Sequence, residues 1–175
     1  MNWVIKLKKL KISYKNIILY ILTFIVVVFG DQLTKIIVEH TLQLNAGYTI
    51  IDSFFYFTYA HNSGAAWGIF QGHMILFYVV SLIAGIAIIY YFLQTESYQK
   101  LTRFGLVLVF SGMIGNLIDR LMYGYVRDFI DFIIFGYDFP IFNVADIAIT
   151  VGVALIILEL AIEEYKVWKI SKSEF

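Results

Sequence analysis

The sequence predicts an all-α membrane bundle of four transmembrane helices with a small β-sheet on the extracytoplasmic face. Of its 175 residues, 61% are hydrophobic, and the mean hydropathy is +0.80. Soluble domains usually contain about 45–50% apolar residues. Four apolar segments reach the roughly 20 residues that a membrane helix needs, and two aromatic, β-branched stretches separate them. We therefore expect a single integral membrane domain over residues 1–175.

The helices and the positions of the basic residues together predict the topology. The four apolar segments cover about residues 17–38, 73–93, 104–121 and 143–161. Ten of the thirteen Lys and Arg residues lie before the first segment, between the second and third, or after the fourth. The positive-inside rule assigns these positions to the cytoplasm. We expect both termini inside, and the stretches of about 39–72 and 122–142 on the outer face.

Several classes of partner and cofactor are not expected. Residues 1–16 form a basic arm that suits contact with anionic lipid. The basic residues cluster only beside apolar segments, so no nucleic acid partner is expected. The chain has no cysteine, and its three histidines are isolated, with no HExxH motif; hence we expect no metal and no cofactor. A cleavable leader is also not expected, because no A-x-A-like site follows the first apolar segment.

The two outer stretches read as strands. Residues 49–70, TIIDSFFYFTYAHNSGAAWGIF, are rich in β-branched and aromatic residues with glycine between them. Residues 126–142, VRDFIDFIIFGYDFPIF, have the same character. Strand edges cannot lie open in hydrocarbon, so we expect the two stretches to pack together at the outer membrane surface.

Four aspartates lie in or beside apolar segments, where acids are costly and are candidates for function: Asp31, Asp119, Asp128 and Asp146. Asp128 starts the second outer strand, and a carboxylate on the apolar face of a strand must be paired or protonated. Asp146 lies about one turn into the fourth helix, behind a candidate N-cap at Asn143. It is either a site residue or only a capping acid. Asp128 and Asp146 are placed to meet across a cleft.

Other polar residues have both a structural and a functional interpretation. Asp31 and Lys35 are four residues apart and pair on one helix face. Asn116, Asp119 and Arg120 form a polar cluster that either braces a site or anchors a helix end. Asn62, in the small-residue segment HNSGAAWG, offers an amide that either binds a peptide backbone or closes a turn.

Four motifs together resemble the lipoprotein signal peptidase family, signal peptidase II. They are GDQLTK (30–35), HNSGAAWG (61–68), GNLIDRLMYGYVRDFIDF (115–132) and FPIFNVADIAITVG (139–152). They stand in the family's order and cover about residues 30–152. The resemblance implies a multi-pass aspartic endopeptidase of the bacterial cytoplasmic membrane. Such enzymes remove the signal peptide from diacylglyceryl-modified prolipoproteins, cutting before the lipidated cysteine.

The same motifs transfer the family's site residues to this chain. The V-x-D-F and F-N-x-A-D motifs place the catalytic pair on Asp128 and Asp146. The supporting positions are Asp31, Lys35, Asn62, Gly64, Asn116, Asp119, Arg120, Asn143 and Ala145. Arg127 departs from the family pattern, which has a small aliphatic residue there. If side chains alternate along the strand, Arg127 faces away from the pair; if the strand is bulged, its charge lowers the pKa of Asp128.

The resemblance implies that water attacks the scissile carbonyl, activated by two aspartates that share a proton near the extracytoplasmic face. The expected partners are the lipid-modified prolipoprotein and membrane lipids, and we expect a monomer. The alternative is a small proton- or ion-coupled membrane transporter, in which the same acids form a relay. The acids all lie near one face, whereas a relay should cross the bilayer.

Overall fold

The computed structural model describes residues 12–65 and 69–173, and it shows four long helices and a four-stranded antiparallel sheet. The helices are α1 (Tyr14–Thr41), α2 (Met74–Gln94), α3 (Lys100–Tyr123) and α4 (Val144–Ser173). The strands are β1 (Gly47–Ile51), β2 (Phe55–Asn62), β3 (Val126–Ile134) and β4 (Tyr137–Asp138). Each helix is long and apolar enough to cross a membrane. This confirms the predicted fold class, although residues 1–11 of the basic arm and 66–68 of HNSGAAWG lie outside the described residues.

The helices extend beyond the apolar segments from which they were predicted. The fourth segment ends at about residue 161, but α4 continues to Ser173 and has 30 residues. At 1.5 Å per residue it is about 45 Å long, more than the roughly 30 Å of the hydrocarbon core. Hydropathy falls at Glu163 and Glu164, but Glu and Lys are good helix formers. The helix therefore continues where the membrane segment stops, and α1 likewise continues past Val38 to Thr41.

The N-terminus of α3 is capped by a side chain from another helix. Its N-cap residue, Gln99, makes no side-chain capping bond. Instead the carboxylate of Glu159, on α4, accepts hydrogen bonds from the backbone N–H of Thr102 at 2.7 Å and of Leu101 at 3.4 Å. A carboxylate at this position also suits the positive end of the helix dipole. This contact explains why α3 begins at Lys100, four residues before the predicted start.

Glycines let α3 and α4 pack backbone to backbone. A Cβ atom added at Gly105 would lie 2.5 Å from the carbonyl oxygen of Gly152, and one added at Gly112 would collide with the carbonyl of Ala145. Small residues at such contacts are typical of membrane helix pairs. The close approach brings the start of α4 against α3, where the polar residues of both helices lie.

The sheet lies at the end of the bundle where α1 and α3 finish and α2 and α4 begin, with strand order β1-β2-β3-β4. In the β2–β3 pair Asp128 lies opposite Ala60 and Val126 opposite Asn62. The register shifts between Phe57 and Ala60, so the extra residue is on β2 and β3 keeps its alternation. The back of the sheet packs on α1 through a small core of Val38, Tyr59 and Phe129.

Replacing Gly105 by alanine should destabilise the bundle, because the added methyl group meets backbone that cannot move aside. Overpacking of this kind costs about 1–3 kcal/mol. Gly30, on α1, is the matched control, since nothing lies within 4 Å of an added Cβ there. Thermal unfolding in detergent should show a lower midpoint for Gly105→Ala and an unchanged or higher one for Gly30→Ala. Equal midpoints in the two variants would contradict the close packing of α3 on α4.

Candidate active site

Asp128 and Asp146 line the same cavity, of about 660 Å³, where β3, α3 and α4 meet. The structure thus brings together the two aspartates that the motifs single out. Four of the predicted supporting residues also line this cavity: Asn62, Gly64, Asn116 and Arg120. Most of the remaining wall is apolar, with Val126, Phe139, Ile141 and Ile147 among its members. Polar groups therefore gather on one side of a mainly hydrophobic chamber.

Asn143 joins the two aspartates directly. Its side-chain amide Nδ2 donates to Asp128 Oδ1 at 2.6 Å, and its Oδ1 accepts from the backbone N–H of Asp146 at 3.0 Å. The side chain is fully buried. Each end of one amide thus fixes one member of the pair, so Asn143 sets the position of β3 relative to the start of α4.

Asp146 caps the start of α4 and also lines the cavity. Its Oδ2 accepts from the backbone N–H of Asn143 at 3.2 Å, while Asn143 Oδ1 accepts from the N–H of Asp146. This reciprocal pair is a capping box in which the third helical position carries aspartate. The other oxygen, Oδ1, accepts from Asn116 Nδ2 at 2.7 Å, and the Asp146 side chain lines the cavity. The two interpretations of Asp146 are therefore compatible.

Asp128 is almost completely buried, with 2% of its surface exposed. Its two oxygens accept from Asn62 Nδ2 at 2.9 Å and Asn143 Nδ2 at 2.6 Å. Burial, and after it the negative charge of Asp146, raise the pKa of Asp128 to about 7, against the lowering effect of the two amide bonds. A carboxyl group in this state holds a proton near neutral pH.

Asn62 and Gly64 form the edge of the cavity beside β2. The oxygen of Asn62 accepts from the backbone N–H of Gly64 at 2.9 Å, and its nitrogen binds Asp128. Asn62 therefore closes the turn and also donates to Asp128. The carbonyl of Gly64 accepts from Arg120 Nη2 at 3.0 Å, and the guanidinium of Arg120 lies over the ring of Phe77.

A buried cluster of charges lies behind the cavity. Lys35 Nζ binds Asp31 Oδ2 at 2.8 Å and Asn116 Oδ1 at 3.0 Å, and it lies 3.4 Å from Asp119 Oδ2. The side chains of Lys35, Asp31 and Asp119 have no exposed surface. The predicted pairing of Asp31 with Lys35 is confirmed. The predicted cluster on α3 is divided, since Asp119 joins the buried charges, Arg120 faces the cavity and Asn116 connects the two groups.

Asp31 binds the start of α4 as well. Its Oδ1 accepts from the backbone N–H of Ala145 at 2.9 Å, one of the N–H groups that a helix N-terminus leaves unpaired. Ala145 has no exposed surface, and a Cβ added at Gly115 would lie 2.7 Å from Asp31 Oδ2. Only small side chains fit at these two positions. No side-chain chemistry pointed to Ala145, because its contribution is a backbone N–H group.

Arg127 faces away from Asp128, as strand alternation predicts. It is 1% exposed, and its guanidinium binds Asp119 Oδ1 at 2.9 Å and Glu39 Oε2 at 2.7 Å. Burial lowers the pKa of Arg127, but the bonds to Asp119 and Glu39 outweigh this and leave the pKa above its ordinary value. The bulged-strand alternative, in which its charge acts on Asp128, is wrong.

Sequence reasoning missed Gln32 and Glu39. Gln32 Nε2 donates to Asp119 Oδ1 at 3.0 Å and to the carbonyl of Gly115 at 3.1 Å, so it ties α1 to α3. Gln32 belongs to the motif GDQLTK, and its position in that motif could have identified it. Glu39 lies beyond the predicted end of the first helix, and only the extension of α1 brings it to Arg127.

Comparison with known proteins identifies the family. Residues 23–162 match the family model for signal peptidase II. Lipoprotein signal peptidases of Staphylococcus aureus strains JH9, Newman and N315 are each 44% identical over 140 residues, which is 80% of this chain and 86% of theirs. The chain belongs to the signal peptidase II family. It is a protease of the aspartic type, so this interpretation is confirmed over the transporter alternative.

Two solved structures have a fold similar to that of this chain. One bacterial membrane enzyme matches with a TM-score of 0.78 and 43% identity over 83% of this chain and 88% of its own. A second matches with a TM-score of 0.74 and 44% identity over 81% and 91%. Together with the four apolar helices, these matches establish a multi-pass membrane protein.

Asp128→Asn should make the protein's stability less sensitive to pH. The pKa of Asp128 is raised on folding from 3.8 to about 7, so its protonation favours the folded state. That contribution is complete below about pH 4 and is lost as the pH rises through about 7. As the pH rises from about 4 to about 7, wild type should therefore lose stability relative to the variant. The loss is up to about 1.4 kcal/mol for each unit by which folding raises the pKa.

Unfolding midpoints of both proteins in detergent at about pH 4, 6 and 8 check this expectation. Asparagine does not titrate, and it keeps the shape of the side chain. Parallel curves for wild type and variant across this range would show that Asp128 keeps an ordinary pKa in the folded protein.

Proposed function

We propose that this protease removes signal peptides from diacylglyceryl-modified prolipoproteins and cuts before the lipidated cysteine, with Asp128 and Asp146 as its catalytic pair. The observation that carries the proposal is the bridge made by Asn143, which binds both aspartates in one largely apolar cavity. Two carboxyl groups held this close do not both ionise readily, so they share one proton. The relatives, which are lipoprotein signal peptidases, support the choice of substrate.

The surroundings of the two aspartates assign them different roles. Asp146 is the anionic member, because the helix N-terminus and the amide of Asn116 stabilise its charge. Asp128 is the protonated member, since its burial and its raised pKa favour the neutral form. The pair titrates as a unit, so these roles describe the resting state near neutral pH.

The reaction then needs only water and the two side chains. Asp146 accepts a proton from a water molecule as its oxygen attacks the scissile carbonyl carbon. Asp128 donates a hydrogen bond to the carbonyl oxygen, which takes on negative charge at this step. Collapse of the tetrahedral intermediate breaks the C–N bond, and a proton from the pair passes to the leaving amine. Asn62, Asn116 and Asn143 hold the two carboxyl groups throughout, because each donates to one of them.

The substrate reaches the site from the lipid side, between α2 and α4. Ser81 on α2 and Val151 on α4 both line the cavity. No extensive contact joins these two helices in the described part of the chain. Val151 and Ile147 remain 45% and 41% exposed. An apolar signal-peptide helix can therefore lie in this gap with its scissile end beside the aspartates, while the acyl chains stay in contact with membrane lipids.

The orientation in the membrane follows the charges. The proposal places both termini in the cytoplasm of a bacterium and the sheet with the active site near the extracytoplasmic face of the cytoplasmic membrane, since ten of thirteen basic residues mark the opposite side. The chain acts as one integral membrane domain and as a monomer, because both aspartates and all their hydrogen-bond partners come from a single chain. The chemistry requires no cofactor.

Asp128→Asn and Asp146→Asn should each abolish cleavage of a diacylglyceryl-modified prolipoprotein, because each removes one partner of the acid–base pair. A loss of roughly 100-fold or more in kcat is expected. The purified variants are assayed in detergent or lipid, with unfolding midpoints to show that they are folded. Asp131→Asn is the matched control: it lies on the same strand, but its carboxylate binds Thr58, and it should cleave normally. Near-normal activity in either dyad variant would remove that aspartate from the mechanism.

A further inference from the structure

Arg127 is a fully buried arginine on the strand that carries Asp128. The adjacent position places its side chain on the back of β3, away from the cavity. A buried guanidinium is costly unless its hydrogen bonds are well made. Here they are: Arg127 donates to Asp119 Oδ1 and Oδ2, to Glu39 and to Gln32, and its plane lies over the ring of Tyr123.

Arg127 occupies both oxygens of Asp119. Its Nη2 donates to Oδ1 at 2.9 Å, while its Nε and its own backbone N–H donate to Oδ2 at 3.2 and 2.9 Å. The forked guanidinium suits this two-oxygen contact, whereas an ammonium group acts as a point charge. The negative charge of Asp119 is therefore neutralised mainly by Arg127 on β3 and not by Lys35 on α1.

Lys35 is the other cation near Asp119, and it is directed elsewhere. Its Nζ lies 2.8 Å from Asp31 and 3.0 Å from Asn116, but 3.4 Å from Asp119. Asn116 Oδ1 also accepts from Asn143 Nδ2 at 3.1 Å, and the two bonds together fix which way that amide points. With its oxygen held by Lys35 and Asn143, Asn116 must present its nitrogen to Asp146, to which it donates at 2.7 Å.

We propose that Arg127 is a positioning residue for the catalytic pair. By neutralising Asp119 it leaves Lys35 bound to Asn116, and Asn116 in turn orients Asp146. Without the guanidinium, Asp119 competes for Lys35, and the oxygen of Asn116 loses one of the two donors that fix its orientation and keeps only Asn143 Nδ2. The inference rests on the proposed function, because it concerns the geometry of the same pair.

The remaining charged and titratable groups around these residues do not replace Arg127. Arg127 binds Glu39 from α1 and lies over the ring of Tyr123 from α3, and Tyr59, His61 and Tyr125 lie within electrostatic range. None of these groups is a cation that binds Asp119. Asp128, on the other face, accepts hydrogen bonds from Asn62 and Asn143 and lies within electrostatic range of Asp146, Lys35 and Arg120. Of these groups only Lys35 contacts both the buried cluster and Asn116.

The test compares Arg127→Val and Arg127→Lys with Glu39→Gln, using cleavage of the lipid-modified prolipoprotein by the full-length enzyme. Arg127→Val should lower kcat roughly 10- to 100-fold with little change in KM, because displacements of about 1 Å cost rates of this size. Arg127→Lys should lose less, but should remain below wild type. Glu39→Gln should keep the wild-type kcat, since Glu39 contacts Arg127 at the partly exposed rim and does not touch Asp119.

A pH profile separates positioning from general destabilisation. The positive charge of Lys35 lowers the pKa of Asp128. If Lys35 moves toward Asp119 in Arg127→Val, that pKa rises, and the pH–rate profile should shift to higher pH. Glu39→Gln should leave the profile in place. A double variant, Arg127→Val with Asp119→Asn, provides a further check. Its fold-loss of kcat should be smaller than the product of the fold-losses of the two single variants.

The inference is overturned if Arg127→Val has the kcat and pH profile of wild type, or if its effect and that of Asp119→Asn simply multiply. If Arg127→Val yields no folded protein, Arg127→Lys decides, and a wild-type kcat in that variant overturns the inference. Asp128→Asn is assayed alongside. Should it remain inactive while the Arg127 variants are normal, only this inference fails; should it be active, the proposed function fails.

Discussion

The site is organised around the N-terminus of α4. The N–H groups of Asn143, Ala145 and Asp146 are bound there by the side chains of Asp146, Asp31 and the preceding residue Asn143 respectively. Asp31 thereby fixes α1 against the helix start, and Asn143 reaches across to Asp128 on β3. One helix end thus joins three elements, and the close packing of α3 on α4 brings Asn116 to the same point.

Charge balance behind the site makes this arrangement possible in a membrane protein. Asp31 and Asp119 are fully buried, and Lys35 and Arg127 neutralise them one for one. Removing one member of such a set leaves an uncompensated buried charge, which costs far more than an exposed pair contributes. The cavity can then hold a pair with a single negative charge while the cluster behind it stays neutral. Asn116 connects the two groups, because it binds both Lys35 and Asp146.

Much of this could be read from the sequence, for definite reasons. Apolar segments predict the membrane helices, because the thickness of the bilayer determines how long such a segment must be. The pairing of Asp31 with Lys35 follows from their spacing of four residues on a helix. Strand alternation correctly placed Asp128 and Arg127 on opposite faces. Contacts between elements far apart in the sequence could not be predicted in this way. Two examples are the cap that Glu159 supplies to α3 and the hydrogen bond from the backbone N–H of Ala145 to Asp31. The extension of α1 to Glu39 was also hidden, because hydropathy marks where the membrane ends and not where the helix ends.

The proposed mechanism requires Asp128 and Asp146 to share one proton near neutral pH. Infrared difference spectroscopy of the detergent-solubilised enzyme detects that proton through the C=O stretch of a protonated carboxyl group. About one pH unit below the pKa of about 7, wild type should show a single buried protonated carboxyl, whose band is lost in Asp128→Asn. Absence of any protonated carboxyl in wild type at that pH, or a band that survives unchanged in Asp128→Asn, would contradict it.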